Sequence, residues 1–502
     1  MRGTRPERGW LAGVALTGLL VLGSLALCLS ALAADAGAID EKLDLTGDVR
    51  LRLRHIDSPD TGALAGTYGE ALTEGLSLRH RFVLEAAYAL TKTVTAGGML
   101  RASNEGEAVL EAGPEYLSSE FGSAFIAYET PTLRSRLGYY TIAYSPLTLM
   151  RWDTTDDPEG GGGGCGCGGG AAAGAILGET LEELGPNLTF EGGRASLSPG
   201  GDLGFDAFIA RPREAGTDYQ LVTYGGRASY VRYVADSKSF LDIGLLAVRS
   251  EEDKHSLPEG TVAGIATANT VYGATWKLPI PAPMPISFEG EWTSTRSSGL
   301  WDEDGFGIIA SLKSQPRPAI KTEASYIYLS ENWDSYFRAL SYNPDRKGFR
   351  LGLEYQQAGT TVALFARVLK TTDSFHPSGY AAAIPGEAGT AGPAAAAASA
   401  SSSGSETAYQ TFSTRGHFRI SPAQTIGLAG IYAAEGDDDD SFIPSADTRR
   451  TTAIASLVYE FAKDASLTLE ERYIWNRVEH ATVSEHDYDV SMISLYVRAG
   501  LW

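Results

Sequence analysis

The sequence predicts an all-β protein, a single large antiparallel transmembrane β-barrel of about 18–20 strands. Three observations predict it. First, the stretch 43–55 alternates: Leu43, Leu45, Val49, Leu51 and Leu53 are apolar, and every even position from Asp44 to Arg54 is polar or charged. That period of two writes a strand with one greasy face and one charged face. Second, the same code returns along the chain, and the breaks between its segments alternate between short and long. A barrel with tight turns at one end and longer loops at the other has this rhythm. Third, beyond residue 33 no apolar run approaches the roughly 18 residues that a membrane helix needs.

The first element is a signal peptide, residues 1–33. Arg2, Arg5 and Arg8 form its charged start, Trp10 to Leu32 its apolar stretch, and Ala31-Leu32-Ala33 its small-x-small cleavage site. The domain that follows is expected to span 34–502. Net charge is −21 over the whole chain, and losing three arginines and Glu7 with the signal takes it to −23. So acidic a balance argues against nucleic acid as partner. Only Cys165 and Cys167 lie beyond the signal, too few for a disulfide framework.

Strands are expected at roughly 43–55, 76–90, 93–103, 115–129, 132–144, 187–198, 203–211, 219–233, 238–250, 264–279, 285–297, 304–315, 317–330, 346–357, 360–371, 408–420, 425–434, 449–462, 464–477 and 486–502. Proline marks several of the short turns, at Pro131, Pro199, Pro281 to Pro285, Pro316 and Pro422, where it does least harm to a ladder. The faces read consistently. Leu76, Leu78, Phe82, Leu84 and Tyr88 oppose Ser77, Arg79, Arg81 and Glu85; Phe288 and Trp292 oppose Glu289, Glu291 and Thr293; Leu467, Leu469, Tyr473 and Trp475 oppose Ser466, Thr468, Glu470 and Arg472. A water-filled lumen requires the polar face and lipid the apolar one. Tyr128, Tyr144, Trp276, Trp292, Tyr355, Tyr432 and Trp475 fall near strand ends, where aromatic girdles sit.

Two patterns carry chemistry. Arg50, Arg52 and Arg54 share one face of the first strand, Arg79 and Arg81 the polar face of the second, and Arg134 and Arg136 that of the fifth. Charges on a pore wall set selectivity at short range, and arginine grips carboxylate or phosphate with a fork of donors. The same arginines also read as ordinary wall polarity paired with Asp44, Asp48, Glu85 and Glu120. The second pattern is the long connection 145–186, the third on its end of the barrel. It holds Asp153, Asp156 and Asp157, a glycine run with Cys165 and Cys167, then 171–184. There Leu177, Leu181 and Leu184 take helical spacing, with Glu179, Glu182 and Glu183 on another face. An acidic loop folded against a basic wall would make a constriction with a transverse field; the alternative is an outside surface loop.

The remaining features carry less. The connection 372–407 is low in complexity, rich in Ala, Ser and Gly. Asp437 to Asp440 reads as a solvated tip, and Cys165-Gly166-Cys167 as incidental thiols. The seven histidines show no zinc-type spacing, and there is no G-x-S-x-G elbow or C-x-x-C-H haem motif. No catalytic residue, metal site or cofactor is therefore assigned.

With its signal, its strand rhythm and the closing stretch Ser494 to Trp502, the chain resembles the bacterial outer-membrane porins and porin-like export barrels of the alginate-export type. The resemblance covers nearly all of 40–502, through pattern rather than a tight motif. It implies an integral outer-membrane channel that passes small hydrophilic solutes or ions passively, without enzymatic activity. It also implies membrane lipid as surroundings and assembly machinery that reads the aromatic Trp502 end. A homotrimer and a single working barrel both stay open. In the last strand Leu495, Val497, Ala499 and Leu501 make the greasier face, so Trp502 shares the other with Arg498 and Gly500. Two further readings stand beside passive diffusion: a dedicated channel for an anionic oligomer, and a closed structural or surface-binding barrel.

Overall fold

The computed structural model describes residues 42–57, 75–103, 108–109, 118–150, 188–212, 221–235, 237, 239–252, 268–298, 303–333, 335–337, 342, 344–372, 407–437, 445–462, 465–478 and 488–501. They form strands β1 (Leu43–Asp57), β2 (Gly75–Ala89), β3 (Val94–Ser103), β4 (Ala108–Val109), β5 (Ser118–Glu129), β6 (Leu133–Ile142), β7 (Leu188–Gly200), β8 (Leu203–Pro212), β9 (Leu221–Val234), β10 (Ser239–Glu252), β11 (Ala268–Ile280), β12 (Ile286–Ser298), β13 (Glu303–Arg317), β14 (Ile320–Leu329), β15 (Arg346–Gln357), β16 (Thr360–Lys370), β17 (Thr407–Ser421), β18 (Gln424–Asp437), β19 (Ser445–Ala462), β20 (Ala465–Val478) and β21 (Tyr488–Leu501). The two-residue β4 pairs only with the upper end of β2. The other strands form one antiparallel ring of twenty, closed where β1 pairs with both β2 and β21. Closure gives every strand of the ring a paired neighbour on both sides, so no whole strand edge is left to lipid. Strand ends agree with the periodicity to within about four residues, because each apolar/polar alternation stops where a turn residue interrupts it.

Short turns gather at one end. Ala358-Gly359, one of several two-residue turns, joins paired residues Gln357 and Thr360 with positive φ at both positions (50° and 82°). This is the two-residue geometry whose twist matches a hairpin, and glycine supplies the second position without strain. At the opposite end the chain leaves the wall in longer connections, the outside face of the barrel.

Antiparallel register settles which face is which. Inward on β1 are Asp48, Arg50, Arg52, Arg54 and Ile56; inward on the last strand are Arg498, Tyr496, Ser494 and Met492. The greasier odd face of β21 therefore points outward, with Ile493 exposed to the surroundings. Outward positions elsewhere carry Leu137, Leu245, Tyr272, Trp292, Phe349, Leu428 and Trp475, all exposed. Large apolar side chains around a closed barrel make a lipid-facing belt, the arrangement of an integral membrane β-barrel. Glu471 is an exception on this face; the Tyr473 hydroxyl donates to it at 2.7 Å.

One girdle assignment fails. Tyr144 turns into the lumen, where its hydroxyl donates to Asp206 Oδ1 at 2.6 Å. The chain leaves β6 at Ile142 and bends inward, so the period of two no longer governs position 144.

One seam of the wall is short. β5 and β6 pair only from Glu129↔Arg134 to Phe125↔Gly138, whereas β6 pairs with β7 over its full length. Gly138 has φ +102°, and a Cβ there would lie 2.1 Å from the Ala124 carbonyl oxygen. Gly138→Val is expected to lower the yield of heat-modifiable barrel on refolding, measured by gel shift, because both backbone strain and collision oppose it.

Candidate pore lining and constriction

The lumen is built from the polar faces of the strands. Between β6 and β16 its charges are mostly answered by neighbours. Arg194 reaches Asp206 Oδ2 from Nη2 at 2.7 Å and from Nε at 3.0 Å, while the Ser196 hydroxyl donates to the same oxygen at 2.6 Å. Arg227 lies 3.2 Å from Asp242. Across five strands the signs alternate: Lys277–Glu289 (3.1 Å), Lys313–Glu289 (3.0 Å), Lys313–Glu323 (3.8 Å) and Arg350–Glu323 (2.6 Å). A ladder of alternating charge keeps water in the lumen but presents little net field.

The wall formed by β2, β1 and β21 differs. Asp48 is bonded by Arg50 and lies 3.3 Å from Arg498. Above it stand Arg52 and Arg54, only 6% and 1% exposed, with Arg52 also 5.8 Å from the Tyr496 ring centroid. Register sets Arg81 opposite Arg50 and Arg79 opposite Arg52. Inward positions of β1 and β21 from 50 upward thus bring Arg50, Arg52, Arg54 and Arg498 onto one stretch of wall. Higher still, Ile56, Ile474, Val490 and Met492 turn the inward face apolar and buried. On β20, Arg472 pairs with Glu470 at 3.1 Å.

Arg134 and Arg136 also point inward but stand apart from that group, four strands along the wall. Arg134 pairs with Glu129 at 2.8 Å. Arg136 lies 3.6 Å over the Phe125 ring and 3.8 Å from Glu85.

Two outside connections enter the lumen. The root of the third one folds into a turn, with the amides of Thr148 and Leu149 both donating to the Ser145 carbonyl. Glu291 on β12, 3% exposed, holds this turn. Its carboxylate accepts from the Ser145 hydroxyl (2.5 Å), the Leu147 amide (3.0 Å) and the Thr148 hydroxyl (2.8 Å). Burial pushes the Tyr144 phenol well above its ordinary range, and the Asp206 carboxylate that takes its hydrogen bond adds to this. The acidic residues expected to face the basic wall, Asp153, Asp156, Asp157, Glu179, Glu182 and Glu183, lie outside the described residues, as do Cys165 and Cys167.

A second inward piece, described at 330–333, 335–337 and 342, was not expected to enter. Trp333 is fully buried, and its indole N–H donates to Thr293 Oγ1 at 3.0 Å. The Met150 amide donates to the Phe337 carbonyl at 2.9 Å, and the Ser335 hydroxyl to the Thr148 carbonyl at 3.4 Å, so the two segments meet. Arg350 donates to the Tyr342 hydroxyl at 2.7 Å. Apolar packing supports each: Leu149 with Tyr140, Phe190 and Phe208, and Leu147 with Ile327, Leu329 and Trp333. The sequence did hold a signal. Trp333, Tyr336, Phe337 and Tyr342 within one connection are too much aromatic surface for a solvated loop. Trp333→Ala should remove about 3–5 kcal/mol of packing. Amide exchange followed by mass spectrometry should then show lost protection at 330–337 with the wall strands unchanged.

Among the described residues there is no group of three or more metal-ligating side chains, and no helix long and apolar enough to cross a membrane.

No family model matches the chain, and no curated protein matches it in sequence. Among solved structures it is similar to Pseudomonas aeruginosa OccK2 (OpdF), at 11% identity and a TM-score of 0.44, over 92% of this chain and 98% of that one. It is likewise similar to a BenF-like porin from Pseudomonas fluorescens Pf-5, at 11% and 0.42, over 91% and 99%. A third is the outer membrane protein opdK from Pseudomonas aeruginosa, at 10% and 0.41, over 91% and 99%.

Proposed function

We propose that the chain is a passive outer-membrane channel for small hydrophilic solutes, with a preference for anions. The observation that carries this reading is the contrast between walls. Charges alternate in sign along β11 to β15, whereas Arg50, Arg52 and Arg54 recur at every second position of β1, beside Arg498 of β21. A permeating anion is drawn to the second wall and is not held by the first. The segments rooted at Ser145 and Trp333 narrow the path, so solutes pass close to the wall charges. No step here needs an enzyme or a cofactor.

The test is single-channel conductance of the refolded mature chain in a planar bilayer under a salt gradient. Stable ohmic steps with a reversal potential of anionic sign support the reading. A folded barrel that never conducts, or one that selects cations, overturns it.

A dedicated track for an anionic oligomer is the second reading. Arg50, Arg52 and Arg54 recur every second residue, about 6.8 Å apart along the strand, with Arg79 and Arg81 opposite them. Under this reading Arg52→Ala with Arg81→Ala weakens block of the current by oligomeric uronate; unchanged block rejects it.

A further inference from the structure

The β5–β6 seam is the anomaly of the wall. β5 keeps its ladder to β3 through Ser118, and β6 keeps its ladder to β7 through Ile142. Between β5 and β6, however, pairing ends at Phe125↔Gly138. Continuing the register would set Ala124 against Tyr139 and Gly122 against Thr141; among the described residues no strand fills that place. This is the upper, outside half of the barrel. Facing backbone edges left open in hydrocarbon cost several kcal/mol for each unmet group, so irregular backbone at membrane depth belongs where a cavity or passage is lined.

The surroundings of the gap have two characters. On the lumen side Tyr140 and Ile142 are buried in an apolar cluster with Leu149 and Phe190. At the foot of the gap stands Arg136. Its nearest described carboxylate, Glu85, is 3.8 Å away, and its buried Nε–H donates to no described group. Just below the gap a groove of about 620 Å³ runs over the still-paired part of β5 and β6 and on to β8, lined mainly by outward positions such as Ile126, Leu137 and Ile209, with Arg136 and Arg194 also lining it. That volume suits a small ligand.

We propose that the upper half of the β5–β6 seam is a lateral portal, through which a single-chain amphiphile with a carboxylate head passes between the lumen and the outer leaflet. The guanidinium of Arg136 takes the head, since its fork of donors matches a carboxylate. The tail lies along Ile126, Leu137 and Ile209, which already face lipid. Gly138 lets β6 bend away where a side chain would collide with Ala124.

The experiment uses dodecanoate carrying a diazirine at its chain end, with the refolded mature protein in lipid vesicles. Photolabelled peptides are mapped, and small-ion conductance is recorded in parallel. The expected result is label concentrated on β5, β6 and β8 and displaced by excess dodecanoate but not by dodecanol. Arg136→Ala should lower the label about tenfold. A second variant guards against misfolding. In a Cys165→Ser, Cys167→Ser background, Gly122→Cys with Thr141→Cys should stay reduced until strong oxidant forces closure. Closure should then abolish the label while ion conductance persists. Label spread evenly around the belt, label indifferent to Arg136→Ala, or spontaneous quantitative disulfide formation between 122 and 141 would each overturn the portal. Conductance that survives any of these results leaves the channel reading standing.

Discussion

Glu291→Ala will turn a quiet channel into a larger, noisy one. The carboxylate accepts three hydrogen bonds from the turn at 145–148 and is almost wholly buried. Hydrogen bonds to a charged group are worth roughly 1.5–3 kcal/mol each. Alanine removes all three and leaves two hydroxyls and one amide without their acceptor. Keeping the turn in place would then cost more than releasing it into the lumen water. The neighbouring segment follows, because Met150 and Thr148 are bonded to Phe337 and Ser335. Single-channel records should show higher mean conductance and frequent flicker. The barrel itself should keep its heat-modifiable gel shift, since no wall ladder is touched. Glu291→Gln should fall between the two, because an amide accepts through one oxygen and meets the Leu147 amide donor-to-donor if that oxygen faces the hydroxyls. Identical conductance and noise in Glu291→Ala would show that the turn is held by its apolar packing alone.

The second large effect is on selectivity. Arg50→Gln, Arg52→Gln and Arg54→Gln together should shift the reversal potential in a salt gradient toward cations. In water each unit charge at about 8 Å acts on a passing ion with about 0.5 kcal/mol. Three such charges amount to about 1.5 kcal/mol, or roughly tenfold in the anion-to-cation permeability ratio. Screening over a similar distance makes this an upper value, and the shift should shrink as salt rises. Removing the alternating pair Lys313 and Glu323 together should move the reversal potential far less, because their charges cancel. Equal shifts from the two variants would mean that the walls do not differ as the ion pairs indicate.

Much of the architecture was legible in the chain. The alternation at 43–55 set the faces of β1, and the structure keeps Arg50, Arg52 and Arg54 on the lumen side. Short and long breaks set which end carries turns. Both signals are local, since side-chain direction in a strand follows from the pleat alone. The pattern could also place Glu291 on a polar face. It could not say that this carboxylate would be buried, because the donors that bury it come from Ser145, Leu147 and Thr148, more than 140 residues away in sequence.

The sequence by itself determined the class of fold, the number of wall strands to within two and the inward or outward sense of nearly every strand residue, because a period of two in a membrane admits only one apolar face. Tertiary structure alone decided where the chain leaves that period. It turned Tyr144 inward to Asp206, drew the aromatic segment at Trp333 into the lumen, and ended the β5–β6 ladder at Gly138. The first two depend on partners 62 and 40 residues away, and periodicity carries no information about who those partners are.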